Sequence, residues 1–368
     1  MIPIFRYYTE LKKHLPYVQL GNFPTSIEKL DKIGNEFGLK NLYIKRDDLS
    51  GESYGGNKVR KLEFLFGKVL QTKSKHVITL GFAGSNHALA SAIYAKKLGL
   101  KCSAMLMPQN NAYYVRRNLL AGHYYESKLH YYKNFFSLTL AILKKSFKTR
   151  IQQGYFSEFI PAGGSCPLGV IGYVNAAFEL KEQILSGIMP EPDYIYVPLG
   201  STGTSTGLAL GLKAAGLKTE VVAVRVIENY ISPFKGVVRL LEQTNLFLRK
   251  NDPGFPEIKF KDVLFSIKED DLGSGYAHFT ENGIKAADIM KKNYGIILNG
   301  AYSAKAFASL LSDAEKNNLN DKVVLFWNTY NSRDLSEITS LVNYLELPKE
   351  FHRYFEEDVQ SLDTGLDC

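Results

Sequence analysis

The sequence predicts an α/β protein made of two open parallel sheets with helices on both faces. Three observations predict it. Short, nearly continuous apolar runs alternate with amphipathic stretches, and strands covered on both faces read that way. The alternation occurs twice, before about residue 150 and after about residue 190. A chain of 368 residues is also long enough for two domains at about 150 residues each.

In chain order, NLYIKRDD (41–48) reads as a strand, and HVITLGF (76–82) as a second, followed by the helical stretch SNHALASAIYAKKLG. CSAMLMP (102–108) is a third strand, leading into AYYVRRNLLAG. DYIYVPLG (193–200) is a fourth and feeds a glycine-rich turn and the helical TGLALGLKAAG. EVVAVRVI (220–227), GIILNG (295–300) and KVVLFWNT (322–329) complete the set. The stretch 228–270 is the least regular and reads as helix plus long loop, and the polar tail after about 350 reads as peripheral. There is no internal repeat and no low-complexity segment.

Composition narrows the function classes. The chain is 45% hydrophobic and 22% charged, which excludes a fully disordered polymer. No run approaches the roughly 18 apolar residues of a membrane span, and MIPIFRYYTELKKH lacks a signal-peptide core. The formal charge is +8, but the basic pairs Lys12-Lys13, Arg116-Arg117 and Lys144-Lys145 are dispersed and read as solvated helix faces. An anionic small ligand suits a few positive groups better than nucleic acid does. Cys102, Cys166 and Cys368 form neither an even set nor a CxxC, and the seven histidines show no metal-ligand spacing. The expectation is a reduced cytoplasmic chain without a metal, a membrane partner or a nucleic-acid partner.

Open α/β sheets bind ligands beyond the carboxyl ends of their strands. GSTGTSTG, Gly200 to Gly207, stands at such an end and opens a helix. Its glycines allow close approach, and the unpaired N–H groups of a helix start attract phosphate. The same segment also suits a tight turn with no ligand. Its spacing is neither GxGxxG nor a P-loop. In GESYGGNKVRKLEFL (51–65), glycines precede Lys58 at a helix start. Partial desolvation and a nearby positive helix end would lower its pKa and favour the nucleophilic amine. A surface lysine after a turn is the plain alternative. In GFAGSNHALASA (81–92), Ser85 or Asn86 caps a helix whose start could hold a carboxylate, and His87 is either a base or a structural donor. Tyr276 and Tyr302 lie in glycine-bordered turns where a phenol can transfer a proton, although the chain has 23 tyrosines.

Taken together, KRDDLSGESYGGNKVRKLEFLFG, GSNHALASA, PAGGSCPLGVIGYVNAAFEL, PLGSTGTSTGLALGL, GSGYAHF, ILNGAYSAKAF and FWNTYNS resemble, in that order, the 1-aminocyclopropane-1-carboxylate deaminase/D-cysteine desulfhydrase family. The resemblance runs from about residue 20 to about residue 340. It implies a pyridoxal-phosphate enzyme of the tryptophan-synthase-β-like fold, fold type II. A larger phosphate-binding domain would comprise 1–55 and 166–355, a smaller domain 56–165, and a polar tail 356–368. Lys58 would hold pyridoxal 5'-phosphate covalently, yield it to the substrate amine and move the α-proton. Gly200, Ser201, Thr202, Gly203 and Thr204, with Lys61 one turn past Lys58, would bind the phosphate. Asn86 would bond the 3-hydroxyl, and Thr329 would face the pyridine nitrogen. Ser85, Asn86 and His87 would meet the substrate, and Tyr276 and Tyr302 would assist proton transfer. The family also implies a homodimer acting on a small amino acid.

The departures from the family pattern sit on the substrate side. Gly84 stands where a glutamine is usual, Tyr330-Asn331 replaces a glycine pair, and Asn299-Gly300-Ala301-Tyr302 lacks the usual proline. Ser303 follows Tyr302, where the deaminase type carries glutamate and the desulfhydrase type threonine. KRDD (45–48) lacks the cysteine-containing loop of the deaminases. The expected reaction is therefore β-elimination from D-cysteine to pyruvate, ammonia and sulfide. The alternatives are 1-aminocyclopropane-1-carboxylate deamination and a non-catalytic cofactor- or metabolite-binding relative.

Overall fold

The computed structural model describes residues 2–134, 136–138, 140–141, 156–228, 233–317 and 319–365. The pair Lys144-Lys145, Cys368 and residues 229–232 of the irregular stretch lie outside them. Two sheets carry the fold. The larger has six strands in the order β1-β2-β10-β7-β8-β9 and the smaller four, β5-β4-β3-β6. The strands are β1 Ile27–Lys29, β2 Asn41–Lys45, β3 His76–Phe82, β4 Lys101–Met107, β5 Lys128–Tyr131, β6 Glu158–Ile160, β7 Tyr194–Leu199, β8 Glu220–Arg225, β9 Phe265–Lys268 and β10 Val323–Trp327. All pairings are parallel except β1 with β2.

The six central strands fall where the apolar runs predict them. The four that the apolar pattern does not announce, β1, β5, β6 and β9, are the sheet edges. They have three or four residues each and are mostly half-exposed, so they carry no continuous apolar run. Residues 295–300, expected as a strand, form none. Ile296 and Leu298 are buried in the large-sheet core, which accounts for the apolar pattern. The neighbouring backbone turns instead into helix Ser303–Asn317, with the Asn299 N–H on Ser303 Oγ at 2.8 Å and the Tyr302 N–H on the Asn299 carbonyl at 3.1 Å. In the irregular stretch, the expected helix is Pro233–Asn251 and the expected loop contains β9.

The chain after 350 is not peripheral. Phe351 and Tyr354 are buried with Ala104, Leu106 and Leu119 of the small-sheet side, because the aromatics of FHRYF recur at helical spacing. No described helix is long and apolar enough to cross a membrane.

A buried ionic network joins the layers. Arg60, in helix Lys58–Gln71, donates Nε and Nη2 to the Asp47 carboxylate (2.9 and 2.7 Å) and Nη1 and Nη2 to Glu179 (2.8 and 2.9 Å). Glu179 lies in helix Pro167–Leu185 and also pairs with Lys45 of β2 at 2.7 Å. Tyr173 Oη and Trp327 Nε1 both donate to Asp47 Oδ2 at 2.7 Å. The ionic side chains are at most 2% exposed. Two cations balance two anions, and the surplus lone pairs are bonded, which is what a buried pair requires. Burial pushes the Glu179 carboxyl up, but Arg60 and Lys45 outweigh it and hold it at about 2. Burial opposes ionisation of Asp47 as well, and Arg60 again wins, so its pKa is lowered.

Removing one partner leaves a buried charge uncompensated. Asp47→Ala is expected to cost about 3–5 kcal/mol in urea unfolding; a loss near zero would show that the network is not stabilising. Both carboxyls are depressed in the folded state. Their contribution is therefore present above the unfolded value of about 4 and is lost as pH falls towards about 2. Unfolding free energy measured from pH 5 downwards is expected to fall, and less steeply in Glu179→Gln.

Candidate active site

Lys58 opens its helix just beyond the turn Gly55-Gly56-Asn57. Gly56 has φ 87, and a Cβ there would come within 2.8 Å of the Thr329 carbonyl oxygen and 2.9 Å of that of Tyr330. The Asn57 N–H donates to the Thr329 carbonyl at 3.0 Å, so the end of β10 is seated on the lysine turn. Only glycine allows both the backbone angle and this approach. Lys58 Nζ donates to Asn57 Oδ1 at 2.8 Å, and Asn57 Nδ2 donates to Thr204 Oγ1 at 2.9 Å. Asn57 thus bridges the amine and the glycine-rich loop. As a residue Lys58 is partly accessible, while protein surrounds its amine densely enough that burial lowers the pKa to about 8.

The glycine-rich loop leaves β7 and enters helix Gly203–Ala215. Thr202 holds φ 66, a conformation that costs a non-glycine residue of order 1 kcal/mol. The Gly203 N–H meets Ser165 Oγ at 3.2 Å, and Ser165 Oγ donates to Ser201 Oγ at 2.9 Å. Lys61 is 1% exposed and donates to the Gly163 carbonyl at 3.1 Å. Its Nζ lies 2.9 Å from where a Gly203 Cβ would stand. Burial and the charge of Lys58 drive the Lys61 pKa well below its ordinary value. A buried lysine amine, a second lysine and the positive end of a helix therefore converge on a cradle bordered by a glycine. Such a cradle fits a phosphate dianion.

A second wall descends from β3. Ser85 Oγ caps helix Asn86–Lys97 by accepting the Ala88 N–H at 3.2 Å. Asn86 Oδ1 accepts from Asn118 Nδ2 (2.8 Å) and Tyr54 Oη (3.3 Å), which turns its own amide hydrogens towards other acceptors. Gln109 Oε1 accepts the Gly84 N–H at 2.8 Å, and Asn118 donates to the Gly84 carbonyl at 2.9 Å. A Cβ at Gly84 would lie 2.8 Å from both Tyr114 and Val115, so a larger residue would have to displace them. His87 is 2% exposed, and the backbone of Pro161 is the neighbour that favours its protonated ring. Burial, then Lys58 and Lys61, hold its pKa well below the ordinary histidine value. It lies on the Lys61 side of the site, against Gly164.

Tyr276 and Tyr302 meet Oη to Oη at 2.5 Å, and Tyr302 also borders Gly200. Burial raises Tyr276 to about 12, partly offset by the Tyr302 hydroxyl; Tyr302 is raised further by burial and by its phenolic neighbours. Either hydroxyl can be the donor in this pair. Arg117 lies over the Tyr330 ring at 5.8 Å and donates to its hydroxyl.

The structure thus brings Lys58, Lys61 and Thr204 together, with Thr329 approaching through its backbone. It joins Tyr276 with Tyr302, and seats Ser85 and Asn86 on the facing helix. Sequence alone does not single out Asn57, Asn118 or Ser165, and Arg117, expected on a solvated helix face, is instead half-buried because the Tyr330 ring and hydroxyl hold it. The GGNK turn and the PAGGSC run carried signals for Asn57 and Ser165, whereas Asn118 and Arg117 lie in an ordinary helical pattern. Among the described residues no cluster of His, Cys, Asp or Glu could hold a metal ion.

Residues 18–329 match the model of the pyridoxal-phosphate dependent enzyme family. The chain belongs to this family. Within it, the chain is 31% identical over 321 residues to a D-cysteine desulfhydrase of Klebsiella pneumoniae, covering 85% of this chain and 93% of that one. It is also 31% identical over 316 residues to a Pyrococcus furiosus relative provisionally named a 1-aminocyclopropane-1-carboxylate deaminase, covering 85% and 92%. The crystal structure of an ACC deaminase homologue superposes with a TM-score of 0.76 at 29% identity, covering 92% of this chain and 99% of that one. The protein is a pyridoxal-phosphate enzyme of the ACC deaminase/D-cysteine desulfhydrase group, with the type II fold of that group.

Incubation of the apoprotein with pyridoxal 5'-phosphate, followed by borohydride reduction and peptide mapping, is expected to mark Lys58 first. The labelling rate should rise with pH through about 8, because the neutral amine is the reactive form. Label spread evenly over exposed lysines would contradict this assignment.

Proposed function

We propose that the enzyme catalyses β-elimination from D-cysteine, releasing sulfide and, after water addition, pyruvate and ammonia. The observation that carries this reading is the buried Lys58 amine, lowered to about 8, bridged by Asn57 to an anion cradle that holds Lys61. Bound there, pyridoxal phosphate would act as an electron sink for the carbanion formed at the substrate α-carbon.

Lys58 holds the cofactor and then moves the α-proton. Lys61, Gly200, Ser201, Thr202, Gly203 and Thr204 bind the phosphate, helped by the helix start. Asn86, its oxygen occupied by Asn118 and Tyr54, donates to the cofactor's 3-hydroxyl. Thr329, whose backbone carbonyl meets the lysine turn, would offer a neutral hydroxyl to the pyridine nitrogen rather than a carboxylate. Ser85 and the helix start behind it take the substrate carboxylate, and His87 supports that helix turn as a neutral imidazole. Tyr276, backed by Tyr302, lines the substrate side and assists proton transfer, both at the α-carbon with Lys58 and to the departing sulfur.

Ser303 supports elimination over ring opening. It is fully buried, and its Oγ accepts the Asn299 N–H, so the position offers no carboxylate. The second reading, deamination of 1-aminocyclopropane-1-carboxylate, is favoured by the name of the Pyrococcus relative and by the ACC deaminase homologue. We also propose a cytoplasmic homodimer, on the unpaired spacing of the cysteines and on the family. Residues 1–55 with 166–355 would form one lobe and 56–165 the other. Sheet membership supports this division, with the larger sheet drawn from 27–45 and 194–327 and the smaller from 76–160.

Wild-type holoenzyme is expected to show the visible band of lysine-bound cofactor and to release sulfide with pyruvate from D-cysteine. Lys58→Ala should lose the band and at least about a thousandfold in rate. Ammonia from 1-aminocyclopropane-1-carboxylate without sulfide from D-cysteine would favour the second reading. Inactivity on both would remove both substrates.

A further inference from the structure

The carboxyl-terminal strap lies beyond the residues that match the family, and it reaches the proton-transfer tyrosines. Gln360 Oε1 accepts the Phe279 N–H at 2.8 Å, and its Nε2 donates to the Ala277 carbonyl at 3.0 Å. One side chain thus grips both backbone groups of the segment directly after Tyr276. That segment resists its own geometry, because Ala277 is a non-glycine residue at φ 62. On the other side of Tyr276, Lys305 Nζ donates to the Leu272 carbonyl at 2.7 Å and points to that of Gly275 at 3.4 Å. Lys305 belongs to the helix that Tyr302 precedes. Tyr276 therefore stands between two side-chain clamps, one from the family fold and one from the tail.

The strap is itself anchored. Asn111 Nδ2 donates to the carbonyls of Tyr354, Glu357 and Asp358, and the Gln360 N–H donates to the Asn111 carbonyl at 3.1 Å. Asp363 Oδ2 accepts the Tyr113 N–H at 2.6 Å, at the start of helix Tyr113–Tyr124. The buried aromatics Phe351 and Tyr354 hold the base of the strap on the small-sheet side. So Gln360 is fixed from one wall of the cleft while it grips the turn that carries Tyr276.

We propose that Gln360 is a positioning residue that holds the Tyr276 hydroxyl against Tyr302 for proton transfer. This rests on the proposed role of Tyr276 but not on the identity of the leaving group. A clamp on a strained turn sets a distance rather than binding a ligand. Its loss should therefore lower kcat while leaving KM and cofactor binding nearly unchanged.

The test uses the holoenzyme and four forms: wild type, Gln360→Ala, Tyr276→Phe and the double variant. Exchange of the α-proton of D-alanine in deuterium oxide is followed by NMR, because it needs no leaving group. Gln360→Ala is expected to lower the exchange kcat by about 10- to 100-fold, with an unchanged visible cofactor band. In the Tyr276→Phe background the same substitution should cost nothing further. Additive losses, or a loss confined to KM, would overturn the proposal. Amide hydrogen exchange of a peptide spanning 276–280 supplies a readout independent of turnover. It should quicken in Gln360→Ala, and unchanged protection would also overturn the clamp. A wild type that exchanges D-alanine but releases no sulfide from D-cysteine would sink the desulfhydrase reading alone. A chain ending at residue 358 keeps Phe351 and Tyr354 and should reproduce Gln360→Ala; full exchange activity in that form would overturn the proposal.

Discussion

The site depends on the buried guanidinium of Arg60. It lies two residues beyond Lys58 on one helix and is bonded to carboxylates from two other elements. A cation in a dry interior has no alternative partners, so the geometry of Asp47 and Glu179 fixes the rotation and depth of the helix start. Lys45, Tyr173 and Trp327 complete the set and tie it to β2, to helix Pro167–Leu185 and to β10. The lysine amine is thus presented from a charge-neutral, fully bonded base. That is the rigidity a reacting group needs, since small displacements are costly in rate.

On that base, electrostatics and space work together. Two lysine amines and a helix start crowd one cradle, and burial weakens the protonated form of both lysines. For Lys58 this leaves a usable fraction of nucleophile near neutrality. Lys61 is weakened further, so a neighbouring negative charge would favour its protonated form most. The glycines at 56 and 203 are where backbone or ammonium would collide with any Cβ. Their conservation of space is steric at one and both steric and torsional at the other.

The departures from the family pattern have local structural reasons. Gly84 accommodates Tyr114 and Val115, while Gln109 and Asn118 bond the backbone that the missing side chain would have left to itself. Tyr330 fills the room of a glycine and carries Arg117 across its ring. These changes repack the surroundings of Asn86 and Tyr330.

Much of this was legible in the amino-acid order. Central strands announce themselves because burial on both faces demands continuous apolar residues, and the GGNK and GSTGTSTG turns announce helix starts because local backbone geometry requires those residue types. The half-exposed edge strands and the irregular course of 295–300 were not legible, since apolar spacing reports burial and not hydrogen-bond partners. Nor was the Arg60 network, whose members are as far apart as Asp47 and Trp327, nor the grip of Gln360 on the Tyr276 turn. Such contacts join residues distant in sequence, and their existence is decided by where packing brings two backbones. The chain by itself determined which groups could do chemistry; tertiary structure decided which of them are dry, charged and held within reach of one another.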